Sequence, residues 1–277
     1  MMSAVRVFRA VCAGLAFGLV FRAEAVALSV VPRNGMPLVA AAVDGVPCTL
    51  LVDTGASHTT LDLGFVTNGL KSVALLDVQL VGRTNVATPP KFAATRSLTV
   101  GEATFDTEGL MAIDLSHLQV AMGRRVDGIL GMNHLREKPC VVSLRRGLLV
   151  WNPSEAECAG FRPLAVRDHG MTFEVLTKTP TGAETALLVD TGSTFTFVDE
   201  TLWPAADGEL KLETADVNIR LGRAFRRGRF AEIVCGEAVS IGVSPVLTPE
   251  KGRNQLGADV FKTYDLLISR NRLAIRK

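Results

Sequence analysis

The 277-residue chain is 48% apolar and 21% charged, with 30 Lys and Arg against 28 Asp and Glu for a formal net charge of +2. That balance suits one or two globular domains with sizeable cores, and it gives no ground for nucleic acid as a partner. The first 27 residues differ from the rest: Arg6 and Arg9 make a short basic region, Ala10–Phe21 an apolar run of 12, and Ala23, Ala25 and Ala27 follow as small residues. This is the form of a secretory signal peptide cleaved after Ala25 or Ala27. The apolar run, bounded by Arg22, falls short of the ~20 residues a spanning helix needs. The expectation is an exported protein, periplasmic or secreted, with no stable membrane insertion after cleavage. Cys12 leaves with that segment, and Cys48, Cys140, Cys158 and Cys235 remain. They either form up to two bridges or stand as buried free thiols, since their wide spacings fix no connectivity and match no metal pattern.

Beyond the leader, short apolar runs ended by turn signals are frequent and helical periodicity is scarce, so the chain reads as mostly β. Asn34-Gly35-Met36 opens the first half. Asp44-Gly45 lies between Pro37–Val43 and Val46–Val52, a hairpin whose second strand delivers Asp53. VDGILGMNHL (Val126–Leu135) then places Leu-Gly ahead of a short helical turn, and VVSLRRGLLVW forms a closing hairpin. Pro153, Ser154 and two Glu residues interrupt the strand pattern in Asn152–Gly160. The second half repeats the plan. His169-Gly170-Met171 opens it, and Met171–Leu176, a turn at Thr179-Pro180-Thr181-Gly182, and Thr185–Val189 deliver Asp190. NQLGADVF (Asn254–Phe261) and the hairpin LLISRNRLAIRK follow. The spacing from Asp53 to Gly131 is 131 − 53 = 78 residues, and from Asp190 to Gly257 it is 257 − 190 = 67. The division expected is a signal peptide at 1–27, a first lobe at 28–152, a linker at 153–160 and a second lobe at 161–277.

The hexapeptide LLVDTG thus occurs twice, at Leu50–Gly55 and Leu187–Gly192. A carboxylate on the tip of a buried strand is costly unless something uses or neutralises it. Two of them on duplicated lobes are explained if the lobes face each other about a pseudo-twofold axis and bring Asp53 and Asp190 together. Like charges that close share one proton across a middle pH range, so the pair contains an acid and a base at once. The ionised member can deprotonate a water while the protonated member donates to a carbonyl oxygen. Gly55 and Gly192 allow the tight turn and let backbone amides approach each acid. Thr54 and Thr191 offer hydroxyls across the interface, and Ser193, where the first loop has Ala56, offers one more.

DTGAS at Asp53–Ser57 with Ile129-Leu130-Gly131, and DTGST at Asp190–Thr194 with Gln255-Leu256-Gly257, resemble the aspartic peptidases. In that family D-T-G-[AS]-[ST] and a later hydrophobic-hydrophobic-Gly segment recur in each half of the site. Gln255 stands where the pattern has an aliphatic residue. The lobe length is closer to the retropepsin-like members than to pepsin, so the resemblance implies a fused two-lobe, all-β enzyme of exported bacterial type, with β-barrel lobes and short helices. It implies Asp53 and Asp190 as the catalytic pair, Thr54, Gly55, Thr191, Gly192 and Ser193 as site-loop support, and a flap tip at Leu80–Thr84 that puts Val81, Gly82 and Arg83 on the substrate. Leu221-Gly222-Arg223 is a poor counterpart in the second lobe. It further implies a peptide or protein substrate, no cofactor and no metal, and a monomer, because the second D-T-G is already on the same chain. The activity expected is that of an aspartic endopeptidase; the alternative is a catalytically silent peptide-binding or assembly protein that keeps the cleft.

Other signals carry less. The run GRAFRRGR, with Arg223, Arg226, Arg227 and Arg229, has no basic domain around it and reads as an exposed hairpin. His58, His117, His134 and His169 show no metalloprotease spacing and read as surface or satisfied polar residues. Trp203 reads as a packing residue.

Overall fold

The computed structural model describes residues 24–31, 35–70, 73–77, 90–211, 224–237, 239–249 and 251–277. These are mostly strands, in two large sheets and one separate hairpin, with short helices between them. The all-β, retropepsin-like expectation holds.

In the first half, Pro37–Val43 and Val46–Val52 pair antiparallel from Leu38↔Leu51 to Val43↔Val46. The turn joining them holds Asp44 and Gly45 at φ of 48° and 78°, which matches the right-handed twist of the flanking strands. Alternation ends where the second strand nears the acid, because Leu50, Leu51 and Val52 are all buried. Gly128–Leu130 pairs parallel to them on the remaining edge. Leu50 and Val52 face the main core, whereas Leu51 packs with Met36, Leu38, Leu115, Leu118 and Met122 under the helix Ser116–Met122. A strand covered on both faces needs a continuous apolar run, which is what the repeated LLV supplies.

The second half repeats this with Thr172–Lys178 against Glu184–Val189, the latter running parallel to Gln255–Leu256. Gln255 is half-buried and holds its place by backbone pairing with Leu188 and Phe197. Trp203 is buried and its indole N–H donates to the carbonyl of Arg229 at 2.8 Å. The strand Ala224–Gly228 carries Arg226, which pairs with Glu200, and Arg227, which donates to the Ser244 carbonyl.

The halves are joined edge to edge. Strand Cys140–Ser143 of the first closing hairpin pairs antiparallel with Asp265–Ser269 of the second, in the register Cys140↔Ile268, Val141↔Leu267, Val142↔Leu266. The same sheet continues through Leu148–Trp151 and Glu24–Val30 into the strand Pro37–Val43 and ends at Leu75–Asp77, while its other end is Arg162–Pro163. It does not close on itself, so among the described residues it is an open sheet and the barrel expectation is not met. The strand Glu24–Val30 starts ahead of Leu28, and Glu24 to Ala27 pair with Trp151 to Leu148. Residues 153–160 contain the helix Glu155–Cys158, with Ser154 and Glu157 forming a capping box.

Across the seam, the buried carboxylate of Asp265 receives Ser143 Oγ at 2.5 Å and guanidinium groups of Arg145, Arg146 and Arg276 at 3.1–3.3 Å. Burial alone would raise this carboxyl, but the hydrogen bonds from Ser143 and Arg276 and the charges of Arg146 and Arg145 hold it below the ordinary carboxylate range. The four remaining cysteines are free thiols, so the bridge alternative falls. Burial pushes Cys48 and Cys235 up to about 12, and Cys140 further up, which keeps them protonated and unreactive. No helix among the described residues is long and apolar enough to cross a membrane.

Candidate active site

Each acid leaves its strand in the same way. The Asp53 amide donates to the Leu130 carbonyl at 3.0 Å, and the Asp190 amide donates to the Leu256 carbonyl at 2.9 Å. The parallel ladder therefore runs one bond past the strand end and fixes where the side chain departs. Asp53 Oδ1 then accepts the amides of Gly55 at 2.8 Å and Ala56 at 3.1 Å.

The two loops face one another. A Cβ built on Gly55 would stand 2.6 Å from Asp190 Cγ, and one on Gly192 would stand 2.4 Å from Asp53 Cγ. Each carboxyl thus occupies the space that the other loop's glycine leaves empty, and no other residue type permits that approach. The threonines cross reciprocally: Thr54 N–H donates to Thr191 Oγ1 at 3.1 Å, and Thr191 N–H donates to Thr54 Oγ1 at 3.0 Å. Each hydroxyl donates onward to a carbonyl of the opposite half, Thr54 to Val189 and Thr191 to Val52, both at 2.7 Å. Both threonines are buried, so every donor in this square replaces a water contact it has lost. Ser193 supports its loop through its amide, which donates to the Asp190 carbonyl, and its hydroxyl reaches the Phe195 carbonyl at 2.9 Å.

A second layer repeats too. The amides of Met132 and Ala258 donate to the carbonyls of Ala56 and Ser193, and the amides of Gly131 and Gly257 donate to the hydroxyls of Thr59 and Thr196 at 3.0 Å. Asn133 accepts the Thr59 amide through Oδ1 at 2.7 Å, while at the matching place Asp259 accepts the Thr196 hydroxyl at 2.8 Å. Burial raises the Asp259 carboxyl, with the Thr196 hydrogen bonds opposing. His134 Nδ1 lies 2.8 Å from Thr59 Oγ1, and burial, with nearby His58 adding, lowers its ring to about 4. This supporting layer escaped the sequence reading although a signal was there, since a threonine stands six residues after each aspartate.

Val81, Gly82 and Arg83 lie outside the described residues, as does Leu221-Gly222-Arg223. The strands flanking residues 78–89 are described: Leu75–Asp77 pairs antiparallel with Lys91–Ala93. A cleft of about 850 Å³ lies in the second half between Leu176–Lys178 and Glu232–Val234, and its lining includes no residue of either D-T-G loop. Geometry at the acids, and not cavity size, marks the site.

Residues 39–134 match the family model described as aspartyl protease. The match takes in Asp53, Gly55 and Gly131, the acid and both glycines of the first lobe's pattern. No curated protein matches the chain. The matched stretch lies within the first half, and the main hydrogen bonds of its loop recur around Asp190 in the second, so the chain is similar to the aspartic peptidases in their retropepsin-like form.

Proposed function

We propose that the chain is an exported, single-chain aspartic endopeptidase in which Asp53 and Asp190 act as one catalytic unit. The observation that carries this is the reciprocal fit of each carboxyl against the glycine of the opposite loop. In the proposed reaction, a water held between the two acids attacks the scissile carbonyl carbon. Its proton passes to the ionised carboxylate, while the protonated carboxyl donates to the carbonyl oxygen. The resulting gem-diol collapses as the amide nitrogen takes a proton, the C–N bond breaks, and a carboxylic acid and an amine leave. The flap tip of this reading is Leu80–Thr84, which would put Val81, Gly82 and Arg83 on the substrate; the described strands nearest to it in the chain, Leu75–Asp77 and Lys91–Ala93, pair with each other.

Asp53→Asn and Asp190→Asn keep size and much of the hydrogen bonding but remove the shared proton. Each should reduce cleavage of a diverse peptide mixture, read by mass spectrometry, by about 10,000-fold, the upper end for acid-base participation. The double variant should be scarcely worse than either single one, because the two act as a unit. Substantial cleavage by either purified single variant with an unchanged melting temperature overturns the mechanism.

A further inference from the structure

The short helices behind the two site loops each end in a basic residue that crosses to the other half. Met132–Leu135 is bonded to the first loop through the Met132 and Asn133 amides, and Arg136 follows it directly. The guanidinium of Arg136 is met entirely by the second half. Its Nη1 and Nη2 form a two-pronged pair with Asp168 at 3.1 and 2.6 Å, and Nη1 also donates to the carbonyls of Gly170 and Met171. Nε and Nη2 donate to the Arg270 carbonyl, and the Phe173 ring lies 4.5 Å from Cζ. This side chain is only 10% exposed. In the second half, Lys262 follows Ala258–Phe261 at the matching place, five residues after Gly257 as Arg136 is after Gly131. Its Cε and Nζ lie 2.5 and 2.8 Å from where a Cβ on Gly35 would stand. Gly35 and Gly170 are themselves matching positions, in the turns that open the two halves, with φ of 74° and 77°.

We infer that Arg136 and Lys262 are reciprocal straps that set the registry of the two lobes, with Arg136 the principal positioning residue for the approach of Asp53 to Asp190. A fork that satisfies three carbonyls, a carboxylate and a ring at once has one geometry, which an ammonium cannot reproduce. Because the helix it leaves is bonded to the Ala56 and Ser57 carbonyls, a shift of the guanidinium moves the loop that carries Asp53. Its catalytic consequence rests on the peptidase reading above; its effect on registry does not.

The test compares wild type with Arg136→Ala, Arg136→Lys and Asp168→Asn by amide hydrogen exchange and by steady-state peptide cleavage. The amides of Thr54 and Thr191, bonded across the lobes, should exchange at least about tenfold faster in Arg136→Ala, while those of Leu50 and Leu187 inside each lobe keep their rates. The kcat should fall roughly 10- to 100-fold with KM held within about twofold. Arg136→Lys should recover only part of both effects, and Asp168→Asn should shift them in the same direction by less. Those two milder variants carry the test if Arg136→Ala does not fold. Unchanged exchange at Thr54 and Thr191 in a folded variant overturns the strap, as does an equal rise at every strand amide or a loss confined to KM. A wild-type protein without peptidase activity would remove the proposed chemistry and leave the exchange result to decide the strap.

Discussion

At Thr54 a single hydroxyl accepts the Thr191 amide and donates to the Val189 carbonyl, so the methyl group beside it is incidental. Thr54→Val keeps shape and strands a buried amide, which should cost about 1–3 kcal/mol in denaturant unfolding; Thr54→Ser should recover most of it. An equal loss in the serine variant would mean that packing, not the hydroxyl, holds the crossing. His134 makes a different demand. Its ring is lowered from 6.5 to about 4, so between those values the unfolded chain binds a proton that the folded chain refuses. Folded stability is unaffected above pH 6.5, falls as pH drops toward 4, and loses up to about 3 kcal/mol over that window. His134→Gln can still bond Thr59 and carries no titration. Unfolding measured at pH 7 and pH 4.5 should show a smaller difference for this variant than for wild type. The two aspartates were legible in the sequence because a turn, an apolar strand and an acid are contiguous. The residues that hold Thr59 and Thr196 behind the loops, Asn133 and Asp259, stand far along the chain from them, and only the fold brings them together.

Among the elements, the hairpins around Asp44-Gly45 and ahead of Asp190 stand where turn chemistry and apolar runs placed them. What local pattern does not carry is pairing between distant segments, so the ladder from Cys140–Val142 to Leu266–Ile268 had no signature. Glu24–Val30 shows a sharper conflict, because its small residues read as a cleavage region while the same residues bond to Leu148–Trp151. Cleavage after Ala27 would remove all four residues that pair with that strand, whereas cleavage after Ala25 leaves the pairs of Val26 with Leu149 and Ala27 with Leu148. On the proposal that the chain is exported and cleaved, the mature protein should therefore begin at Val26 and not at Leu28, which intact mass will show. Retention of Met1 or Met2 in the exported fraction would end the signal-peptide reading. At the proposed flap tip, Gly82→Pro should lower turnover without lowering the melting temperature, and unchanged peptide cleavage by that variant would move the flap elsewhere.

For the molecule as a whole, the joint between halves rests on the buried Asp265 among Ser143 and three arginines. Its carboxyl is held below the ordinary range, so its contribution is present above about pH 4 and is lost as pH falls through the folded value. Asp265→Asn should be less stable than wild type at pH 7, with the gap narrowing below about pH 4. A gap that stays constant with pH would show that shape and not charge matters at that position.

The edge-to-edge pairing of the closing hairpins also bears on what the covalent link contributes. Each half carries its own D-T-G loop, one side of the threonine square and one edge of the shared ladder, so the complementary surfaces do not depend on an unbroken backbone. A chain opened between Asn152 and Gly160 and produced as two fragments should reassemble into one working pair, with a rate of recovery that is second order in fragments. The eight residues at 153–160 then serve as a tether, equivalent to a local concentration on the order of millimolar, and dilution of the split protein should separate that contribution from the affinity of the halves themselves.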